Sequence, residues 1–247
     1  MKTLLTLLVF VSCKSAYVHR TDWQNVYKEE NFKSTCTVNV KETIKVKGVL
    51  DGKGCTYTWI GKNKQNCHAS EEISETEPRM FEMESNSTIK NMKIDCILEG
   101  IRMGDNTVIE NVHFWDCGED CISTRGTMNT IRNNKIYLAQ DKAIQGNQAD
   151  KVVITGNYFK HVARAFSGSG GTQGGADHID FSNNTCDNCE IMIRSQSDHK
   201  VYAKNNSLTK GECMFESVDE SRIFNNGGNK VTDATLVCKD NKNPIGE

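Results

Sequence analysis

An apolar residue, an asparagine or glycine two places on, and a second apolar residue three places after that recur along most of this 247-residue chain. The units are Ile89-Asn91-Ile94, Ile109-Asn111-Phe114, Ile131-Asn133-Ile136, Ile154-Gly156-Phe159, Phe181-Asn183-Cys186 and Ala203-Asn205-Leu208, and the pattern ends at Ile223-Asn225. Asparagine or glycine therefore falls at 91, 111, 133, 156, 183, 205 and 225, in steps of 20, 22, 23, 27, 22 and 20 residues. A unit this short cannot bury its own apolar face and must stack on copies of itself. Within each unit the apolar residues are spaced among polar ones in short stretches rich in Val, Ile, Phe and Thr, which suits strands with one face inward. Leucine-rich repeats share the period, but their Leu-x-x-Leu-x-Leu frame is absent. The reading is an all-β chain: a right-handed parallel β-helix, a solenoid in a single domain.

Successive coils of such a solenoid lie about 4.8 Å apart, so equivalent positions form ladders. The asparagines are expected at a bend, where the side-chain amide bonds the turning backbone and the residue accepts left-handed geometry. Before the clear repeats, Thr43 to Leu50 reads as a strand, Asp51-Gly52-Lys53-Gly54 as a turn, Arg79 to Met83 as a short rung and residues 61–77 as a loop. Past Lys230 the pattern fades into a tail.

A charged ladder follows from the same count. Eight places after each asparagine come Glu99, Glu119, Asp141 and Arg164, and nine places after come Gly100, Asp120, Lys142 and Ala165. If the register holds, Glu99, Glu119 and Asp141 lie above one another. Two bare carboxylates about 5 Å apart repel by roughly 3 kcal/mol at an effective dielectric near 20. Either such a stack holds a cation, for which calcium suits flexible carboxylate coordination better than magnesium, or the acids spread into solvent.

The N-terminus has Lys2, an apolar run from Leu4 to Val11 and small residues after it, the layout of a secretory leader over residues 1–16. Residues 17–247 then form the mature domain. Eleven cysteines fit export, and losing Cys13 leaves an even ten. The pairs Cys117/Cys121 and Cys186/Cys189 lack partners at zinc-finger spacing, so disulfides are expected rather than metal thiolates. Net charge of −2 offers no field to hold nucleic acid or an anionic membrane.

Several segments resemble polysaccharide lyase family 3, the pectate lyases. They are Asn39 to Val46, the Asp51-Gly52-Lys53-Gly54 turn, the stretch from Phe81 to Asn91, and above all Glu110-Asn111-Val112 leading to Gly118-Glu119-Asp120, with Asp141-Lys142 about twenty residues later. The resemblance covers about Thr35 to Asn225. It implies a secreted enzyme, acting as a monomer on polygalacturonate, the acidic backbone of pectin. It also implies calcium held by Glu119 and Asp120 with Glu99 from one coil earlier. The family's basic residues map to Arg125, Lys142 and Arg164, and Arg194 lies where members tend to carry an arginine. Its Gly-Lys-Leu-x-Arg motif reads Ala163-Arg164-Ala165-Phe166-Ser167, so one cation is missing or relocated.

Breaking a uronate chain by elimination requires a base for the proton α to the carboxylate and positive charge for the enediolate. Lys142 is the expected base and Arg164 the charge stabiliser, with the roles of base and stabiliser open between them; Arg125 and Arg194 are expected to hold further carboxylates. Two rivals stand beside this reading. One is a polygalacturonase-like hydrolase, which needs paired acids; the other is a β-helix that binds polysaccharide without cutting it, for which Ser167 argues. Among the tryptophans, Trp115 alone lies close enough to the acidic block to be a candidate sugar platform.

Overall fold

The computed structural model describes residues 32–61, 78–168, 177–195, 199–217 and 222–239. The leader at 1–16, nearly all of the 61–77 loop and the glycine-rich stretch after Gly168 lie outside the described residues. The chain winds into a parallel solenoid of about eight turns with three sheets, as the repeat predicts.

The first sheet begins with β1 (Thr37–Val40) and β4 (Thr56–Trp59) and ends with β19 (Lys230–Thr232). The second contains β2 (Ile44–Val46), β5 (Arg79–Met83), β7 (Glu99–Arg102), β9 (Asp120–Ser123) and β20 (Thr235–Lys239). The third contains β3 (Val49–Asp51), β10 (Gly126–Arg132), β12 (Ala149–Thr155), β14 (His178–Ser182), β16 (Lys200–Lys204) and β18 (Ile223–Asn225). Six long strands turn a corner and serve two sheets. β6 (Thr88–Ile97) and β8 (Thr107–Cys117) run from the third sheet into the first. β11 (Lys135–Gly146), β13 (Tyr158–Gly168), β15 (Thr185–Ser195) and β17 (Ser207–Ser217) run from the first into the second.

Each sheet sends one apolar ladder inward. Ile89, Ile109, Ile131, Ile154, Phe181 and Ala203 pair in sequence across the third sheet, and Ile94, Phe114, Ile136, Phe159, Cys186 and Leu208 across the first; all are fully buried. The second sheet adds Ile101, Ile122, Ile144, Phe166, Ile193 and Phe215. The third- and first-sheet ladders are the residues of the repeat, the second-sheet ladder lies outside it, and the three together close the core.

The bend between the third and first sheets is the asparagine corner. Asn91, Asn111, Asn133, Asn183 and Asn205 all have φ between 53 and 56°, and Gly156 replaces asparagine at φ 68°. At Gly156 a Cβ would lie 2.6 Å from Asn133 Oδ1, so the corner takes no side chain there. From Asn133 onward the residue after each is a second amide, a ladder that the repeat count overlooked. The Oδ1 atoms of Asn134, Asn157, Asn184 and Asn206 accept from the backbone N–H of Val112, Asn134, Asn157 and Asn184 on the preceding coil, at 2.9 to 3.0 Å. Their Nδ2 groups donate to Ile109, Ile131, Ile154 and Phe181 carbonyls. Each of these four amides thereby pairs a backbone N–H and a backbone carbonyl at the bend inside the wall.

Three expectations need correction. Thr43 to Leu50 is two strands, broken by Gly48 at φ 72°. Asn225 pairs beside Ala203, two residues short of the corner; Gly228, at φ 71°, takes the left-handed position and Asn229 the interior one. Finally, the tail is a further coil, because β19 and β20 stack on β17 and the Cys213–Cys238 disulfide fastens them.

Candidate functional site

The corner between the first and second sheets uses a left-handed residue too, but the residue type changes from coil to coil. Asp116, Leu138, His161, Asn188 and Lys210 hold φ between 52 and 60° at paired positions, followed by Asp233. A left-handed leucine costs about 1–2 kcal/mol. Immediately beyond this corner the charged ladder emerges.

Register slips by one residue on either side of it. Ile97 pairs with Cys117, an offset of 20, whereas Ile101 pairs with Ile122, an offset of 21. The extra residue lies in Cys117-Gly118-Glu119-Asp120-Cys121, a loop closed on itself by the Cys117–Cys121 disulfide. Between β11 and β13 the offset drops from 23 at Ala139 to 22 at Lys142, which sets Arg164 beside Lys142 rather than beside Asp141. The simple ladder of Glu99, Glu119, Asp141 and Arg164 is therefore corrected in detail, yet its members still meet.

Glu99 and Glu119 hydrogen-bond each other, and Arg79 Nε lies 3.5 Å from Glu99 Oε2. Lys142 Nζ donates to Asp120 Oδ1 at 3.2 Å and to Asp141 Oδ2. Arg164 Nη1 donates to Asp141 Oδ1. Asp141, which no sequence argument had given a role beyond the stack, thus holds Lys142 and Arg164 side by side. The sequence signal was its place before Lys142.

Crowding in a buried patch leaves Glu99, Glu119 and Asp120 unwilling to ionise. Burial, then Asp120, pushes Glu99 up to about 7; burial, then Glu99, does the same to Glu119. Burial also raises Asp120 to about 7 in spite of Lys142. For Lys142 burial works against the charge, but Asp120 and Asp141 outweigh it and hold the ammonium above its ordinary value.

Two sequence-expected cations stand apart from this cluster. Arg125 follows β9, its backbone N–H bound to Asn129 Oδ1 and its Nε buried without a hydrogen-bond partner. Arg194 pairs across to Ser167 and forms an ion pair with Glu216, Nε to Oε2 at 2.9 Å. The cation absent at Ser167 thus has an arginine one coil away. Trp115, the candidate platform, is half-buried, with Lys93 Nζ 5.7 Å from its ring and Tyr137 5.8 Å away. Burial pulls His113 and His161 down to about 4, so both are neutral imidazoles near pH 7. Eight of the cysteines form disulfides, at Cys36–Cys55, Cys117–Cys121, Cys186–Cys189 and Cys213–Cys238.

Residues 28–222 match the family described as Pectate lyase. The chain belongs to the pectate lyase family. Among solved structures, this pectate lyase family member resembles an alginate lyase from Paenibacillus sp. str. FPU-7 at 16% identity, over 88% of this chain and 93% of that one, with a TM-score of 0.44. It also resembles endopolygalacturonase I from Stereum purpureum at 13% identity, over 89% and 97%, with a TM-score of 0.34. At such values neither likeness bears on chemistry. Comparison with curated proteins finds no match.

The acid group can be tested against the calcium that the family implies. Among the described residues no three acidic, histidine or cysteine side chains are already arranged as a metal cage. The donor set fits nonetheless. Glu119 Oε2 is buried with no hydrogen-bond partner, and Glu99 and Glu119 share a contact that requires a proton between them. Oxygen donors crowded until they retain protons are what a hard divalent cation displaces protons from.

Proposed function

We propose that this chain is a secreted, calcium-dependent pectate lyase that cuts de-esterified polygalacturonate by β-elimination. The observation that carries the reading is the Asp141 clamp, which sets Lys142 and Arg164 together against the acids Glu99, Glu119 and Asp120. Those three acids would hold the calcium, supplying positive charge that polarises and orients the sugar carboxylate. The disulfides support secretion.

Lys142 takes the proton α to the uronate carboxylate. The electron pair left on that carbon passes through the enediolate to form the C4–C5 double bond, and the C4–O bond to the next sugar breaks. The departing oxygen takes a proton from solvent water, and Lys142 returns the one it gained to solvent. Arg164, one rung from Lys142, faces the developing negative charge. Arg125 and Arg194 hold neighbouring carboxylates.

Lys142 can act as a base only when neutral. A cation held by Glu99, Glu119 and Asp120 would draw Asp120 away from Lys142, leaving it one counter-ion fewer to keep it charged. Its charged state between two carboxylates favours a second reading, a protein that binds polyuronate without turnover. Incubation with polygalacturonate separates the two. Ultraviolet absorbance from unsaturated product, abolished by chelator and restored by calcium, is the expected outcome. Binding with no absorbance in any condition would overturn the lyase reading, and new reducing ends without absorbance would mark hydrolysis.

A further inference from the structure

The outer face of the second sheet carries another row, beyond the acids and cations. Ile101, Ile122, Ile144, Phe166, Ile193 and Phe215 point into the core, so the residue after each points outward. Strand pairing places these followers on successive rungs, with Glu82 before them: Glu82, Arg102, Ser123, Gln145, Ser167, Arg194, Glu216. Three neutral hydrogen-bonding side chains are thus closed at each end by an arginine backed by a carboxylate.

The two ends differ in one respect. Arg194 is engaged by Glu216 at 2.9 Å, whereas the Nε of Arg102 is buried and has no hydrogen-bond partner. A buried N–H without an acceptor calls for a ligand or water to complete it. Between the ends, Ser123 and Ser167 lie buried at the floor of the row. Asn147 Nδ2 donates to Gln145 Oε1 at 2.5 Å, which leaves the Gln145 amide NH2 to donate elsewhere. From Arg102 to Arg194 is four rungs, about 19 Å at about 4.8 Å each.

We infer that this row seats the polysaccharide, with Arg102 and Arg194 binding carboxylates at the two ends of a uronate segment and Ser123, Gln145 and Ser167 meeting hydroxyls between. A pyranose unit advances a chain by roughly one rung spacing, so carboxylates four rungs apart belong to the first and fifth sugars of a segment about five long. The identity of the sugar rests on the polyuronate reading above; the length selectivity rests on the row itself. Arg102, outside the acid cluster, is a specificity residue.

The test compares the full-length protein with Arg102→Ala and Arg102→Lys on oligogalacturonates of two to eight units. Turnover is followed by absorbance and binding by calorimetry. For chains of five or more, Arg102→Ala is expected to raise KM and Kd about tenfold with kcat unchanged, and Arg102→Lys to recover part of the loss. Dimers and trimers should bind both proteins alike. An equal loss at every length, or none at any, overturns the inference while leaving the lyase reading intact. Length-dependent loss of binding on Arg102→Ala, with a wild type that binds but never cleaves, would support the row and overturn the lyase reading. A wild type that binds no oligogalacturonate overturns both.

Discussion

The two corners that flank the first sheet solve one geometrical problem in opposite ways. At the asparagine corner the left-handed residue is asparagine or glycine in each described coil from Asn91 to Gly228, and the amides of Asn134, Asn157, Asn184 and Asn206 pair the backbone coil after coil. At the other corner an aspartate, a leucine, a histidine and a lysine all adopt left-handed backbone. The register slips twice, and three buried carboxyls are held near 7. From Asn91 on, one corner keeps to residues that accept the bend; the other breaks several local rules within a few residues. Strain and unsatisfied charge collected in one place are what a binding or catalytic site requires of its scaffold.

The contrast predicts that damage at the two corners separates into lost chemistry and lost stability. The largest effect is expected for Lys142→Ala, which should lower kcat on polygalacturonate about a thousandfold while circular dichroism in calcium stays that of the wild type. Collapse of the fold instead would mean that the site corner is structural after all. Next comes Asn184→Ala, which strips acceptors and donors from Asn157, Asn206 and the Ile154 carbonyl. Denaturant unfolding should show a loss of roughly 2–3 kcal/mol with kcat/KM unchanged well below the melting temperature. A parallel drop in kcat/KM would show that the corners are coupled.

The smallest effect sharpens the comparison through pH. The folded protein holds protons on Glu99 and Glu119 up to about 7, whereas the ordinary carboxyl releases them near 4.5. The native state then binds more protons than the unfolded chain, so stability is fully present below about 4.5 and falls as pH rises through about 7. In chelator the thermal midpoint should decline across that window, and calcium should flatten the decline by taking the place of the protons. A midpoint that rises across the window in chelator would contradict the crowding of these acids.

Much of this was legible from residue order. The ladder residues Ile109, Ile131 and Ile154 were marked as core by spacing alone, and the asparagines as bend residues by their tolerance of left-handed backbone. The Asn-Asn doublets at 133–134, 183–184 and 205–206 were present too, but counting one asparagine per coil passed over the second, which does the interior bonding. The final coil was missed because Gly228-Asn229 replaces the expected asparagine and lengthens the step from 20 to 23 residues. Asp141 was seen only as a stacked acid, since its grip on both Lys142 and Arg164 depends on a one-residue shift within β11.

Residue order alone determined that the chain must coil, how long each coil is, and that acids and cations gather after the bend. It determined this because a period of about 22 residues leaves no other way to bury one apolar face per strand. Which carboxylate touches which cation was decided only by the folded coils. Adjacent rungs are about 4.8 Å apart and side chains alternate faces, so the single residue added inside the Cys117–Cys121 loop changes every partner beyond it.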